Sequence, residues 1–212
     1  MTKIVVADDH DLVRMGIVRM LSDVPNFEVV GEARSGEEAV NLVRTKQPCV
    51  VLMDVKMPGI GGLEATRKVL QSSPSTKVIA VTAIADDLYS DRILKAGASG
   101  YVTKDTGFPE ILKAIETVLR GDLYMSNDMA QQVALRNYTG GVDRSPFDDL
   151  SERELQTAVM ISNGVKVQKI AGSFCISPKT VNSYRYRIFE KLGIESDVEL
   201  ALLAVKHKLL DI

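Results

Sequence analysis

The sequence predicts a doubly wound α/β fold, a five-stranded parallel sheet, followed by a small all-α helix-turn-helix domain. Two observations carry this. Over the first 120 residues, short apolar runs alternate with longer amphipathic stretches, the rhythm of a βα repeat. From Leu150 onward that rhythm is gone, and only sharp helix starts remain.

The strands are expected at Lys3 to Ala7, Glu28 to Gly31, Cys49 to Met53, Lys77 to Val81 and Gly100 to Val102. Three of them are almost continuously apolar, as strands covered on both faces must be. Helical spacing falls near Leu12 to Leu21, Glu37 to Arg44, Leu63 to Gln71, Leu88 to Ala96 and Pro109 to Leu119, with Ser35 and Glu38 forming a capping box before the second. Each crossover helix returns the chain to the same edge, so the strands run parallel, and ligands of such sheets bind beyond the carboxyl ends of the strands. Residues 1–120 form this domain.

Residues 121–147 read as a linker with a short helix capped by Asn127 and carrying Met129 and Val133, then punctuated by Thr139-Gly140-Gly141 and Ser145-Pro146. Residues 148–212 form the second domain. Ser151 with Glu154 and Ser196 with Glu199 are read as full capping boxes, and Ser177 precedes Pro178 at the first helical position. Asn163-Gly164 ends one helix, and Cys175-Ile176-Ser177 is short enough to force the next two into a helix-turn-helix.

Composition narrows the function. The 212 residues are 45% hydrophobic and 25% charged, the balance of a globular chain. A net charge of -2 excludes coating nucleic acid by bulk positive charge, so any basic surface is local. The longest apolar runs, Val78 to Val81 and Leu200 to Val205, fall short of the roughly 18 residues a bilayer requires, and the N-terminus enters a strand directly, so a cytoplasmic protein is expected. Cys49 and Cys175 have no partner at ligand spacing and are expected to be buried free thiols.

The chemistry concentrates at strand ends. Asp8 and Asp9 end the first strand, Asp54 the third and Thr82 the fourth, while Lys104 follows the fifth, so all five converge on one edge. Three carboxylates held together raise each other's pKa unless a cation sits among them. Oxygen ligands without His or Cys favour Mg²⁺, which leaves positions for a phosphoryl oxygen. A carboxylate can then attack phosphorus and form an acyl phosphate, with Lys104 and the Thr82 hydroxyl neutralising charge on the transferring oxygens. Taken singly, each position also suits a helix cap or a solvated lysine. His10 suits the start of the first helix equally well and is left out of the mechanism.

In the second domain, Val181, Ile188 and Leu192 fall on one side of the helix from Pro178 to Leu192, and Lys179, Asn182, Ser183, Tyr186 and Arg187 on the other. Lys166 to Lys191 holds six basic residues (Lys166, Lys169, Lys179, Arg185, Arg187, Lys191) against Glu190, a net +5. A solvated polar face has this look too, but on a helix-turn-helix it favours the major groove of double-stranded DNA. Together with Thr180 and Tyr184 these residues make the candidate contact set, the cations placed for phosphates and Asn182, Ser183 and Tyr186 for base edges. The last helix is apolar on more than one side (Val198, Leu200, Ala201, Leu202, Leu203, Val205), as a homodimer contact or a helix held between domains would be.

DDH at Asp8 to His10, LMDVKMPGIGG at Leu52 to Gly62, VTA at Val81 to Ala83 and GYVTKD at Gly100 to Asp105 resemble the receiver domain of bacterial two-component response regulators, a flavodoxin-like fold. The resemblance implies that Asp54 takes a phosphoryl group from a sensor histidine kinase and that Asp9, Asp54 and the backbone carbonyl of Lys56 hold Mg²⁺, with Asp8 assisting through water. It also implies that Thr82 and Tyr101 are switch residues, altering the face of the last two receiver helices. The motifs at Leu150 to Glu154, Ile176 to Val181 and Glu190 to Ile194 resemble the LuxR-type domain of the NarL/FixJ group, and SPKTVNSYRYRIFEKLGI resembles its GacA/UvrY-type global regulators. Tyr184 stands where His is common, and Gly172 and Phe174 stand where helix formers and Leu are usual. The expected protein is a phosphorylation-activated transcriptional regulator that binds an inverted repeat as a dimer. An aspartyl-phosphate phosphatase is the rival, yet Val55 and Lys56 supply no second acid for a leaving group. A DNA-binding protein indifferent to phosphate is the third reading.

Overall fold

The computed structural model describes every residue except 58, 83–91, 106, 127–129, 132–144, 208 and 211–212. It divides into two compact units, Met1–Gly141 and Val142–Ile212.

In the first unit, β1 (Thr2–Ala7), β2 (Phe27–Ala33), β3 (Val50–Asp54), β4 (Lys77–Thr82) and β5 (Gly100–Thr103) occur where the apolar runs predict them. The sheet has six strands rather than five. β6 (Tyr124–Met125), inside the stretch read as linker, pairs in parallel with β5, and the order is β2-β1-β3-β4-β5-β6. Two residues are too short a run to show a period, and their pairing depends on an open edge of β5 that only the folded sheet creates.

Side chains alternate across this sheet. Ile4 and Val6 face one core with Val50 and Leu52, covered by α1 (Asp11–Ser22) and α4 (Phe108–Leu119). Val5, Ala7, Val51 and Met53 face the other, covered by α2 (Gly36–Lys46) and α3 (Gly61–Ser72). Strands buried on both faces therefore need apolar residues at nearly every position. Between β4 and β5, residues 92–95 are described as helix, while residues 88–91 of the helix predicted near Leu88 to Ala96 lie outside the described residues, as do Asn127, Met129 and Val133 of the predicted linker helix.

The second unit opens on a 3-10 turn, Pro146–Asp149, closed by a capping box between Ser145 and Asp148. Then follow α5 (Glu152–Ser162), α6 (Val167–Phe174), α7 (Pro178–Leu192) and α8 (Asp197–Lys206). Of the three capping boxes predicted, only Ser151 with Glu154 is complete. Ser35 and Ser196 accept the expected backbone N–H, but Glu38 and Glu199 accept from Arg34 and Glu195, one residue before the cap. The longer reach still satisfies a backbone donor at each helix entry.

The cysteines correct another expectation. Both are free, as predicted, but exposed rather than buried. Cys49 lies just before β3, outside its covered span, and Cys175 is the left-handed residue ending α6, with φ 53°. Gly172 does not prevent α6 from forming, and a Cβ built there meets nothing within 4 Å. Gly172→Ala should therefore stabilise the second unit by about 1 kcal/mol, read as a higher urea midpoint with unchanged slope.

Candidate functional site

Parallel pairing brings the strand ends to one edge. Asp54 ends β3 and is only 2% exposed. Its Oδ2 accepts from Lys104 Nζ at 2.8 Å, and its Oδ1 accepts from the Lys56 backbone N–H at 3.2 Å. Lys104 stands just beyond β5, where its N–H donates to the Thr82 carbonyl at 2.6 Å. Its ammonium also lies 2.7 Å from Asp8 Oδ2. Thr82, the buried last residue of β4, pairs in register with Thr103. Asp8, Asp54, Thr82 and Lys104 thus share one strand-end edge, with Asp9 beside them reaching toward solvent.

Tyr101 is placed differently. It is fully buried within β5, paired with Ala80 on one side and Met125 on the other.

The pocket holds more negative charge than its one ammonium can balance. Burial, opposed by Lys104 and reinforced by the charge of Asp8, pushes the Asp54 carboxyl up to about 6. Burial pulls Lys104 down, but the Asp54 and Asp8 carboxylates outweigh it and hold the ammonium above its ordinary range. Asp8 Oδ2 is shut off from solvent and is ion-paired to the Lys104 ammonium at 2.7 Å. Carboxylate oxygens of Asp8, Asp9 and Asp54, with the His10 imidazole, lie within 4.8 Å of one another. Three clustered carboxylates that share a single ammonium offer the hard oxygen donors that fit Mg²⁺.

Three contributing residues, Arg14, Glu37 and Gly62, escape sequence reasoning, whereas His10 stands at the start of α1, one of the two places the sequence suggests. His10 is the N-cap residue of α1, with Nδ1 3.0 Å from Asp9 Oδ1 and its backbone N–H donating to Asp8 Oδ1 at 2.8 Å. Arg14 is buried, donates to the Asp8 carbonyl at 2.8 Å and to Glu32 at 3.2 Å, and binds the Asp11 carboxylate. A signal for it existed, since Arg14 falls three and seven residues before Ile17 and Leu21, on the buried stripe of α1. Glu37 accepts from the Ile60 N–H at 2.9 Å and so fixes the loop after Asp54. Gly62 carries no side chain for a steric reason: a Cβ there would stand 1.9 Å from the Asp54 carbonyl oxygen. Gly62→Ala should cost about 3 kcal/mol, measurable by denaturation.

In the second unit, Val181 and Ile188 of α7 are fully buried, while Lys179, Ser183, Tyr186 and Arg187 are exposed and Thr180, Asn182 and Tyr184 half-buried. Ser183 donates to the Lys179 carbonyl at 3.1 Å, and the Thr180 and Ser177 hydroxyls lie 2.9 Å apart. Lys166 and Lys169, at the start of α6, are exposed.

Two predicted DNA-facing cations are already engaged. Lys191 Nζ donates to Glu154 Oε2 at 2.6 Å and to the Asp149 carbonyl at 3.1 Å, tying α7 to the start of α5. Arg185 makes a bidentate pair with Asp197 at 2.7 and 2.8 Å and lies 5.2 Å from the Phe189 ring centroid. Counting these two acids reduces the local excess from +5 to +3.

Residues 4–116 match the family described as response regulator receiver domain, and residues 148–204 match bacterial regulatory proteins, luxR family. Response regulator GacA of Pseudomonas syringae pv. syringae (strain B728a) is 58% identical over 211 residues, covering 100% of this chain and 99% of that protein. Response regulator UvrY of Escherichia coli (strain K12) is 48% identical over 209 residues, covering 99% and 96%. Among solved structures, RcsB from Salmonella enterica serovar Typhimurium bound to promoter rprA in the presence of phosphomimetic BeF3- superposes with a TM-score of 0.67 at 24% identity, covering 95% of this chain and 97% of that one, and supports the fold. With a receiver domain and a LuxR-type helix-turn-helix domain in one polypeptide, and full-length similarity to GacA and UvrY, the chain belongs to the two-component response regulators that regulate transcription.

Proposed function

We propose that this regulator is switched by transfer of a phosphoryl group from a histidine of a sensor kinase to Asp54. The observation that carries the reading is the buried Asp54 carboxylate, held by Lys104 and crowded by Asp8 at the strand-end edge. A carboxylate oxygen of Asp54 attacks phosphorus, the P–N bond to the donor imidazole breaks, and an acyl phosphate forms. Lys104 neutralises charge on the transferred oxygens, and the Thr82 hydroxyl stands at the adjacent strand end. Asp9, Asp54 and the Lys56 carbonyl would hold Mg²⁺, with Asp8 acting through water. When bound, Mg²⁺ shields the incoming oxygens from the carboxylates. Tyr101 and Thr82 respond to the phosphate, and residues 121–147, which include β6, link receiver to reader.

The phosphorylated chain binds an inverted repeat in double-stranded DNA as a homodimer through α8. Lys179 and Arg187 meet phosphates, while Asn182 and Tyr186 reach bases. On α8, Leu200 and Ala204 are buried in their own unit, whereas Val198 and Leu202 remain 69% and 66% exposed. Leu202→Lys should abolish dimerisation and weaken operator binding while circular dichroism stays native, because no core contact is lost. An unfolded variant would place Leu202 in the core instead. Among the described residues, no helix is long and apolar enough to cross a membrane.

Footprinting across the source genome, with and without acetyl phosphate and Mg²⁺, tests the whole reading. Sites protected only after phosphodonor treatment are expected. Identical protection in both arms would remove the switch but leave the reader.

A further inference from the structure

We propose that Asp197 is a specificity-determining residue of the DNA-binding domain: it holds the Arg185 guanidinium out of phosphate contact and so limits sequence-independent affinity. The inference rests on the DNA-binding reading above. Arg185 projects from α7, one residue before Tyr186 and two before Arg187, and lines a cleft of about 540 Å³ together with Lys166, Pro178 and Asn182. An unrestrained arginine there would be a fifth cation beside Lys166, Lys169, Lys179 and Arg187. A planar guanidinium suits phosphate as well as it suits carboxylate.

Asp197, the first residue of α8, occupies that guanidinium instead. Both carboxylate oxygens accept from it, at 2.7 and 2.8 Å, and the Phe189 ring restricts it further at 5.2 Å. Both partners remain partly exposed, with side-chain accessibilities of 32% and 47%. An ion pair this open contributes little to stability. Its consequence is a change in what Arg185 can reach. Each phosphate contact strengthens binding to any sequence equally, so one cation withheld lowers non-specific affinity and leaves base contacts as a larger share of the total.

Full-length Asp197→Asn, treated with acetyl phosphate and Mg²⁺, is titrated against a scrambled duplex and an operator duplex recovered by footprinting, at several salt concentrations. Affinity for the scrambled duplex should rise about fivefold, and the salt slope should steepen by about one unit. Removing an acid anywhere near DNA has some such effect, so Glu190→Gln serves as the charge-matched control and should give a smaller gain. The double variant Arg185→Gln/Asp197→Asn carries the same net charge as the parent and should bind both duplexes as the parent does.

No gain in Asp197→Asn beyond that of Glu190→Gln would overturn the inference. So would weakened binding of the double variant to both duplexes, which would make Arg185 itself a phosphate contact. If Asp197→Asn loses its helical signal, the double variant alone still decides, because it leaves neither charge unpaired. A parent chain that binds neither duplex overturns the DNA-binding reading, and the inference with it.

Discussion

Asp54→Asn is expected to take up no phosphoryl group from acetyl phosphate and Mg²⁺, whereas the parent chain gains one by intact mass. An amide nitrogen or oxygen cannot replace the carboxylate as nucleophile. Continued labelling of the variant would move the acceptor elsewhere. The same substitution should stabilise the apo fold at neutral pH. The folded-state pKa of Asp54 is about 6 against 3.8 for the free side chain, so folding disfavours the ionised carboxylate. The unfolded chain gives up this proton first, and stability falls as pH rises from about 4 through 6. Asparagine carries no such penalty. Asp54→Asn should thus exceed the parent by up to about 3 kcal/mol at pH 7.5 and match it near pH 4. Mg²⁺ should raise the parent's unfolding midpoint more than the variant's, since a cation stabilises the charged pocket in proportion to its affinity. Chemical denaturation at the two pH values, with and without Mg²⁺, reads all of this. A variant less stable than the parent at pH 7.5 would show that the Lys104 pair outweighs burial.

Asn182→Ala should lower affinity for the operator by about 1–3 kcal/mol while leaving affinity for a scrambled duplex nearly unchanged. Asn182 is half-buried on α7, one turn before the exposed Tyr186, and its amide can pair with the N6 and N7 of adenine. Arg187→Ala should instead weaken both duplexes and reduce the salt slope by about one unit, as loss of a phosphate contact does. Titration at two salt concentrations separates the two signatures. Equal losses on both duplexes for Asn182→Ala would make it a positioning contact and shift the reading face of α7.

The strand-end cluster could be read early because parallel topology follows from periodicity. Once five apolar runs are joined by helices, Asp8, Asp54, Thr82 and Lys104 fall at corresponding ends without any knowledge of distance. The Lys104 to Asp54 ion pair, fifty residues apart in the chain, is a result of that register. Helix starts were equally legible in outline, since Ser35, Ser151, Ser177 and Ser196 all accept the expected N–H. Which donor the following glutamate satisfies was not legible, because Arg34 and Ser35 offer N–H groups only one residue apart.

By itself, the sequence determined the alternating βα rhythm of the receiver, the helix-turn-helix that follows, the residue types at the strand ends and the buried stripe of α7. These depend on continuous apolar runs, on the 3.6-residue helical period and on local capping, which act within one segment. Tertiary structure alone decided that β6 joins the sheet, that Arg14 supports the Asp8 turn, and that Cys49 and Cys175 are exposed. It also decided which cations are neutralised. Lys191 and Arg185 look like Lys179 and Arg187 in the chain, but Glu154 lies 37 residues before the first and Asp197 12 residues after the second. A charge count along a sequence adds neighbours in the chain, whereas electrostatic free energy falls with distance in space, and only the fold brings those carboxylates within 3 Å.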